Sequence, residues 1–335
     1  ITAKFKAELI HGKSMVDLTG GMGVDTGFFA NGFAETHYVE SNLHLVAIAQ
    51  HNFDVLKKNN ITVYNDYAED FLNKSKSHFD AIFLDPSRRI KSKKVFKIED
   101  CVPNLYEIVP KCLKLTNQLL IKLSPLVDLS LLIKDFTPVK IWVVSVKNDV
   151  KEVLCLIRNE KLRTLIFAVD LQDHGELMPA CPVGRLFGFN KKEETKAENV
   201  FSLPLKYIYE PSAALLKSGA FKLVGYRFRL KKLHVNTHLY TSDELIKDFQ
   251  GRVFLLKEQI KPDKKEISRI APSNQINVLT RNYPLSSAQL KKKFSLKDGG
   301  ENFLIGTTLM EGKKVLMLCE RISNFVKVSN FDKAK

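Results

Sequence analysis

Three glycines stand close together in the stretch DLTGGMGVDT, at positions 20, 21 and 23, between two apolar runs. Glycine has no side chain, so a turn built from it lets a ligand approach the backbone amides closely. The run before the glycines predicts a strand that ends near Asp17, and the run after them predicts a helix. A strand, a glycine turn and a helix N-terminus together favour a site for a nucleotide-like cofactor.

Two further acidic positions could do chemistry with such a cofactor. Glu40 ends the strand-like segment THYVE, where a carboxylate can accept hydrogen bonds from two ribose hydroxyls. Asp85 and Pro86 follow FDAIFL, which is apolar enough for a strand buried on both faces. A dinucleotide fits the glycines poorly, because Thr26 stands where the G-x-G-x-x-G pattern requires a third small residue.

The elements that must position these residues alternate between strand-like and helix-like segments over the first 160 residues. This alternation predicts an α/β fold with a mostly parallel sheet, helices on both faces and ligands at the carboxyl ends of the strands. VKIWVVSV and KEVLCLIR, joined by the short turn KNDV, predict an antiparallel hairpin at one edge of the sheet. After Arg158 the pattern changes to small α+β segments, and we expect domain boundaries near residues 160 and 245.

The composition indicates a polyanionic partner. The chain of 335 residues carries 52 Lys and Arg against 37 Asp and Glu, a formal charge of +15. Residues 246–335 hold 18 basic and nine acidic residues, so most of the excess lies there. A lysine-rich surface without a polyanionic partner is the alternative interpretation.

Apolar runs, the start of the chain and the cysteines limit the compartment and the class of protein that the sequence allows. No apolar run approaches the ~18 residues that a membrane span needs, and no signal peptide opens the chain. Because the chain begins at Ile1, we expect it to be trimmed or processed. Five scattered cysteines without a C-x-x-C pair argue against a zinc site or a disulfide framework. We therefore expect a cytoplasmic protein with no metal and no membrane partner.

The motif residues resemble a known family. Asp17-Leu-Thr-Gly-Gly-Met-Gly, Glu40 and Asp85-Pro86 are similar to motifs one, two and four of the class I S-adenosylmethionine-dependent methyltransferases. The resemblance implies a Rossmann-like sheet and S-adenosyl-L-methionine as cofactor. For the third motif the resemblance implies an acid, which would be Asp66. A shift of the motif by one residue puts Tyr67 at this position instead. The cofactor-binding residues that it implies are Asp17, Thr19, Gly20, Gly21, Gly23, Asp25, Thr26, Glu40, Asp66 and Tyr67.

The whole chain is similar to a bacterial group of these methyltransferases with a C-terminal THUMP-like domain. YEPSAALLKSGAF, NTHLYTSD and TRNYPLSSAQLKKKFSLKDGGENFLIGTTL carry the resemblance. It implies a methyltransferase domain over 1–160, a small ferredoxin-like α+β domain over 161–245 and a THUMP-like domain over 246–335. True THUMP domains bind structured RNA, commonly the tRNA acceptor end, so the resemblance implies a tRNA or rRNA partner.

The fourth motif narrows the reaction. Methyltransferases of exocyclic amines typically continue from the acid and proline with a second proline and an aromatic residue, whereas Ser87 follows Pro86 here. Methylation at a pyrimidine C5 carbon needs a nucleophilic cysteine, and DPSRR and KLSPL contain none. Transfer to nitrogen or oxygen is favoured, with Asp85 and Pro86 as the catalytic residues.

Basic residues near this motif and in the tail are candidates for binding the substrate. A guanidinium can clamp a phosphate or stack on a base, and a lysine run can contact phosphates. The candidates are Arg88, Arg89, Arg281, Lys291, Lys292 and Lys293. His234 and His238 have metal-like spacing, but no third ligand is evident.

The first hypothesis is an S-adenosylmethionine-dependent methyltransferase that acts on a nitrogen or oxygen of structured RNA. One alternative is a non-catalytic RNA-binding protein with a degenerate methyltransferase domain, which the altered fourth motif favours. Another is a methyltransferase that acts on a protein or a small molecule, for which the basic tail would be incidental.

Overall fold

The alternating apolar segments of the first half of the chain build a nine-stranded sheet. The structure is a computed structural model that describes residues 1–88, 98–160, 162–171 and 186–322. The chain divides into two units, Ile1–Lys191 and Lys192–Lys335.

The strands of the first unit fall into the nine-stranded sheet and one two-stranded ribbon, β5 with β6. They are β1 (Ser14–Asp17), β2 (Glu35–Glu40), β3 (Ile61–Asn65), β4 (Ala81–Leu84), β5 (Ser87–Arg88), β6 (Cys101–Val102), β7 (Leu119–Leu123), β8 (Lys140–Val146), β9 (Asp149–Ile157), β10 (Leu165–Leu171) and β11 (Leu186–Phe189). The helices that precede or connect them are α1 (Thr2–Ala7), α2 (Val24–Phe29), α3 (Leu43–Val55), α4 (Ala68–Lys74), α5 (Leu105–Cys112) and α6 (Leu129–Phe136).

The sheet is mostly parallel, as the alternation predicted. Its strand order is β11-β10-β8-β9-β7-β4-β1-β2-β3, and the run from β7 to β3 is parallel throughout. The carboxyl ends of β1, β2, β3, β4 and β7 therefore share one edge, which we call the carboxyl edge. Ligands of open α/β sheets bind at this edge.

The antiparallel hairpin forms, but its predicted position at the sheet edge was wrong. β8 and β9 pair around a turn at Lys147 and Asn148, which have positive φ angles of 52° and 62°. β10 then pairs in parallel with β8, and β11 pairs with β10. The segment LIFAVDL thus completes the first sheet instead of opening a second domain, because its apolar residues pack into that sheet. The first unit consequently continues to residue 191 and does not end near 160.

One face of the sheet is closed by α1 and α2. Phe5 of α1 and Phe29 of α2 belong to the same buried cluster as Phe83 and Trp142 of the sheet. The rings of Phe29 and Phe83 lie 5.0 Å apart. Because this core is closely packed, it fixes the positions of the two helices relative to the carboxyl edge.

The strands described in the second unit form one seven-stranded sheet. Its strands are β12 (Tyr207–Pro211), β13 (Lys231–His234), β14 (Thr237–Ser242), β15 (Gly251–Ile260), β16 (Asn277–Arg281), β17 (Asn302–Thr308) and β18 (Lys314–Arg321). Its helices are α7 (Lys191–Lys196), α8 (Ala213–Ser218), α9 (Phe221–Arg227), α10 (Lys264–Ile270) and α11 (Ser287–Phe294). The order β13-β14-β12-β15-β18-β17-β16 joins strands from both sides of the boundary expected near 245. The division into three functional domains stays a prediction.

Within the described residues no helix combines the length and the apolar character that a membrane crossing requires.

Candidate active site at the carboxyl edge

Two of the three glycines in the turn after β1 make room for the protein's own rings. A Cβ on Gly20 would stand 2.1 Å from a ring carbon of Tyr38, and a Cβ on Gly23 would stand 2.6 Å from a ring carbon of Phe53. Gly21 differs, because among the described residues a Cβ there would meet only the Thr19 carbonyl oxygen, at 3.9 Å. Its φ of +54° favours glycine on backbone grounds. Gly21 is therefore the glycine of the turn that faces open space.

Asp17 orders the glycine turn from inside. The sequence predicted that its carboxylate would face the cofactor, but the side chain is buried. The Thr26 hydroxyl donates to one carboxylate oxygen at 2.6 Å, and the Thr19 amide donates to the other at 3.0 Å. Burial raises the pKa of Asp17 to about 7, against the lowering effect of these two hydrogen bonds.

Glu40 connects the glycine turn to the start of α3. One carboxylate oxygen accepts from the Gly21 amide at 3.0 Å and the other from the Asn42 amide at 2.8 Å. The Tyr38 hydroxyl donates to the Gly21 carbonyl at 2.6 Å, which fixes the turn from the other side. Each oxygen of a carboxylate has more than one acceptor position, so Glu40, which is partly exposed, can accept further hydrogen bonds.

Asp66 and Tyr67 lie next to Glu40 at the ends of neighbouring strands. The Asp66 amide donates to the Glu40 carbonyl at 3.2 Å, and the Asp66 carboxylate pairs with Lys74 at 2.7 Å. Tyr67 leaves 65% of its surface exposed, which is unusual for so large a ring. Both candidates of the third motif therefore lie at the carboxyl edge. Asp66 is an ion-paired carboxylate there, and Tyr67 is a solvent-exposed aromatic ring.

Asp85 is tied to the glycine turn. Its amide donates to the Thr19 hydroxyl at 2.6 Å, so the turn after β1 and the segment after β4 are joined directly. Its carboxylate forms an ion pair with Lys122 of β7. Pro86 follows as a partly exposed residue, and Ser87 and Arg88 form β5.

Five charged side chains meet between this segment and the two helices over the sheet, and we call them the charged cluster. They are Lys6, Asp25, Asp85, Lys122 and Glu152. The Lys6 amine lies 2.9 Å from a Glu152 carboxylate oxygen and 3.1 Å from one of Asp25. The Lys6 and Glu152 side chains are only 2% and 4% exposed, whereas those of Lys122 and Asp85 are 28% and 35% exposed. The cluster thus has a buried pair and an accessible pair.

The sheet register explains why these residues converge. Leu84 pairs with Ile121, which brings the following residues, Asp85 and Lys122, side by side. Lys122 pairs with Leu154 of β9, and Glu152 stands two residues from Leu154 on the same face. Sequence reasoning missed Lys6, Lys122 and Glu152. The available signals were a lysine inside the otherwise apolar strand LLIKL and a glutamate directly before the apolar run VLCLI; no local signal marked Lys6.

Large apolar side chains are exposed along the same edge. They follow β1, β2, β3 and β7 in the chain, and each is more than half exposed: Met22, Val24, Leu43, Tyr67 and Leu126. Exposed apolar groups concentrated at one place on a soluble protein mark a binding site.

The remaining predicted residues lie in other surroundings. The Arg281 guanidinium forms an ion pair at 2.6 Å with the buried carboxylate of Glu210, and Lys291 pairs with Asp298 at 2.7 Å. Lys292 and Lys293 are exposed on α11. The backbone of Arg88 belongs to β5, and Arg89 lies outside the described residues.

Comparisons with known proteins match both halves of the chain. Residues 207–249 match a family model described as a ferredoxin-like domain, and residues 251–321 match one described as THUMP domain-like. The chain resembles the crystal structure of a protein assigned as a methyltransferase from Porphyromonas gingivalis W83, with 34% sequence identity and a TM-score of 0.85. That match covers 96% of this chain and 80% of the other.

Two more distant structures match about half of the chain. An rRNA methylase from Streptococcus thermophilus is 16% identical, with a TM-score of 0.36, over 48% of this chain and 95% of its own. A protein from Streptococcus mutans assigned as a methyltransferase, in complex with SAH, is 14% identical, with a TM-score of 0.35, over 47% of this chain and 94% of its own. No curated protein sequence matches the chain.

Proposed function

The chain belongs to the S-adenosylmethionine-dependent methyltransferases that carry a C-terminal THUMP-like domain, and we propose that it methylates a nitrogen or oxygen of structured RNA, such as a tRNA or rRNA. The observation that carries the proposal is the THUMP-like match over residues 251–321, in the same chain as the methyltransferase sheet. The excess of basic residues in that part of the chain supports an RNA partner.

The residues at the carboxyl edge fit S-adenosylmethionine. Gly21 leaves open space beside the turn, and Glu40 retains acceptor positions that suit the ribose hydroxyls. Tyr67 and the other exposed apolar side chains suit the adenine ring and the methionine chain. When bound, the cofactor supplies a methyl group on a positively charged sulfur.

Asp17, Thr19 and Thr26 contribute to this site by holding the turn. We assign them an indirect role, because their side chains bond to one another and to Asp85. Gly20 and Gly23 act in the same way, since they admit the rings against which the turn packs. The direct contacts that we propose are those of Gly21, Glu40 and the Asp66–Tyr67 pair.

Asp85 and Pro86 are the proposed catalytic residues. Asp85 stands at the end of β4 and is tied to the glycine turn through Thr19, so its position relative to that turn is fixed. Arg88 and Arg89 follow in the chain and would clamp a nucleotide of the substrate. Fixed placement of the reacting groups supplies much of the rate in a transfer of this kind.

The RNA would be recruited through the second unit. Lys292 and Lys293 project from the last turn of α11 into solvent, where they can contact phosphates. Arg281 and Lys291 have acidic partners in the structure, so each would contact RNA with the part of its side chain that remains exposed.

The test begins with calorimetric titration of the full chain with S-adenosylmethionine, with NAD and NADP as controls. We expect binding of the sulfonium cofactor alone. Radiolabelled cofactor is then incubated with RNA extracted from cells that lack the protein, and with RNA from cells that contain it. Label that enters only the first RNA supports the proposal, whereas label in protein or in small molecules would refute it.

A further inference from the structure

The charged cluster has two lysines where a methyltransferase of exocyclic amines needs free acceptors. An amine donates hydrogen bonds, and its N–H groups require carboxylate or carbonyl oxygens that are open to them. Here one Asp85 oxygen is held by Lys122, and no aromatic residue follows Pro86 to stack on a base. The cluster therefore suits a different acceptor of the methyl group.

Burying the charges of this cluster costs desolvation free energy. Their presence at the carboxyl edge therefore needs an explanation. Transfer of an ion pair from water to a buried position carries a large desolvation cost, which the pairing has to offset. Lys6 and Glu152 bear this cost almost fully, although apolar residues fill the rest of that sheet face. In the described part of the chain, the second oxygen of Glu152 has no hydrogen-bond partner. A stabilising role alone does not explain a buried carboxylate that is left half satisfied.

The positive charge of Lys122 is balanced by acidic side chains from three of the elements around it. Asp85 follows β4, Glu152 lies on β9 and Asp25 lies in the first turn of α2, and each attracts the Lys122 ammonium. Lys6 of α1 is the other cation of the cluster and is paired with Glu152 and Asp25. Burial lowers the pKa of Lys122, but pairing with Asp85 outweighs it, and the pKa lies above its ordinary value. Lys122 is thus an ammonium that touches a carboxylate at an accessible place.

We propose that the methyl acceptor is an alcohol oxygen, which in an RNA substrate is a ribose 2′-hydroxyl, and that Lys122 and Asp85 together take up its proton. This inference rests on the proposed function, because it identifies the atom that the same site methylates. A hydroxyl suits the pair, since its oxygen can accept from the Lys122 ammonium and its proton can be replaced, through Lys122, by one delivered to the Asp85 carboxylate.

The transfer then balances as follows. A bond forms between the hydroxyl oxygen and the methyl carbon, and the bond from that carbon to the cofactor sulfur breaks with its electron pair left on sulfur. Lys122 gives one of its protons to Asp85, and the neutral amine that this leaves takes up the hydroxyl proton as the new bond forms. The pair gains one proton and ends as an ammonium beside a carboxylic acid, which returns the proton to water after the product leaves.

Glu152 and Lys6 are positioning residues in this scheme. When Asp85 takes up the proton, Lys122 loses its nearest negative partner, and Glu152 remains as a second one on the same face of the sheet. Lys6 holds Glu152 and Asp25 in place from α1. The buried pair therefore keeps the Lys122 ammonium in position throughout the reaction.

The first experiment identifies the methylated atom. RNA from cells that lack the protein is incubated with the full chain and labelled S-adenosylmethionine and is then digested with alkali, which cannot cleave beside a 2′-O-methyl group. Label in alkali-stable dinucleotides supports the inference. Label in mononucleotide bases would overturn it and leave the proposed function intact, whereas no label in RNA despite cofactor binding would overturn both.

The second experiment uses Lys122→Arg, which keeps the charge but removes an amine that readily passes a proton. We expect turnover to fall by about 100-fold or more, with cofactor affinity unchanged within about twofold. Lys151→Arg is the matched control, because Lys151 lies on the neighbouring strand in a surface ion pair with Asp149. Equal turnover of the Lys122→Arg variant and the control would overturn the inference.

The third experiment combines an NMR titration, which needs no turnover, with a kinetic measurement. In protein with isotope-labelled lysine, the Lys122 amine signal, assigned through Lys122→Arg, is titrated by NMR without cofactor. Asp85→Asn should lower its pKa, because burial then acts without the opposing pair. Glu152→Gln should lower the same pKa by less, and should reduce kcat without raising KM for the RNA. An unchanged Lys122 pKa in both variants would show that the cluster is not coupled and would refute the proton relay.

Discussion

Asp17→Asn should remove one defined part of the pH dependence of the first unit's stability. Asp17 is buried, and its pKa lies at about 7 in the folded chain, against the ordinary value of 3.8. Between these two values the folded state keeps a proton that the unfolded state has released. Stability from this group is therefore fully present below about pH 4 and is lost as the pH rises through 7.

The magnitude follows from the difference between the two pKa values. A shift of about three units corresponds to roughly 4 kcal/mol, at about 1.4 kcal/mol per unit. Asparagine has the same shape, so its oxygen can accept from the Thr19 amide while its amide donates to the Thr26 hydroxyl. Relative to the variant, the wild type should lose about 1.4 kcal/mol per pH unit between pH 4 and 7 and then level off.

The assay is urea unfolding at a series of pH values, followed by the fluorescence of Trp142. This residue is the only tryptophan of the chain and is buried in β8, so it reports on the unit that contains Asp17. Asp54→Asn is the control, because the Asp54 side chain is exposed and accepts a hydrogen bond from Gln50 of its own helix. A constant difference between wild type and Asp17→Asn from pH 5 to 8 would refute the argument from burial.

Three further predictions concern packing, the cofactor and RNA. Gly20→Ala should lower the free energy of unfolding by about 1 to 3 kcal/mol, because its Cβ would stand 2.1 Å from the buried Tyr38 ring; an unchanged urea midpoint would contradict the packing. Glu40→Ala should weaken S-adenosylmethionine binding by about 100-fold or more in calorimetry, since ribose hydroxyls lose a charged acceptor; an unaltered dissociation constant would remove Glu40 from the site. Reversing Lys292 and Lys293 to Glu should weaken RNA binding and lower its salt slope by about two phosphate contacts. Equal salt slopes in filter binding would make them part of a solvated face.

The strand ends of the site were predictable because their signals are local. An apolar run followed by an acid or a glycine marks the carboxyl end of a parallel strand, and this placed Asp17, Glu40, Asp66 and Asp85 at one edge. What each side chain does there depends on its neighbours in space. Asp17 turned inward because two threonine donors surround it, and a local pattern does not contain that information.

The charged cluster was not predictable for the same reason. Lys6 and Glu152 are 146 residues apart in the chain and meet only when the sheet is assembled. The position of the hairpin in the sheet likewise depends on residues that follow it in the chain. β8 would be an edge strand if β10 did not pair with it. Both of these misses, the cluster and the hairpin position, were contacts between segments distant in sequence, where local propensity is uninformative.

The sheet of the second unit has a consequence for its two family-matched regions. β12, in the region 207–249, pairs along five residues with β15, in the region 251–321. A chain cut between them would leave β12 with a row of unpaired N–H and C=O groups, which invites pairing with other chains and aggregation. The ferredoxin-like and THUMP-like regions of this chain therefore share one sheet, and we expect neither to close its strand edge without the other.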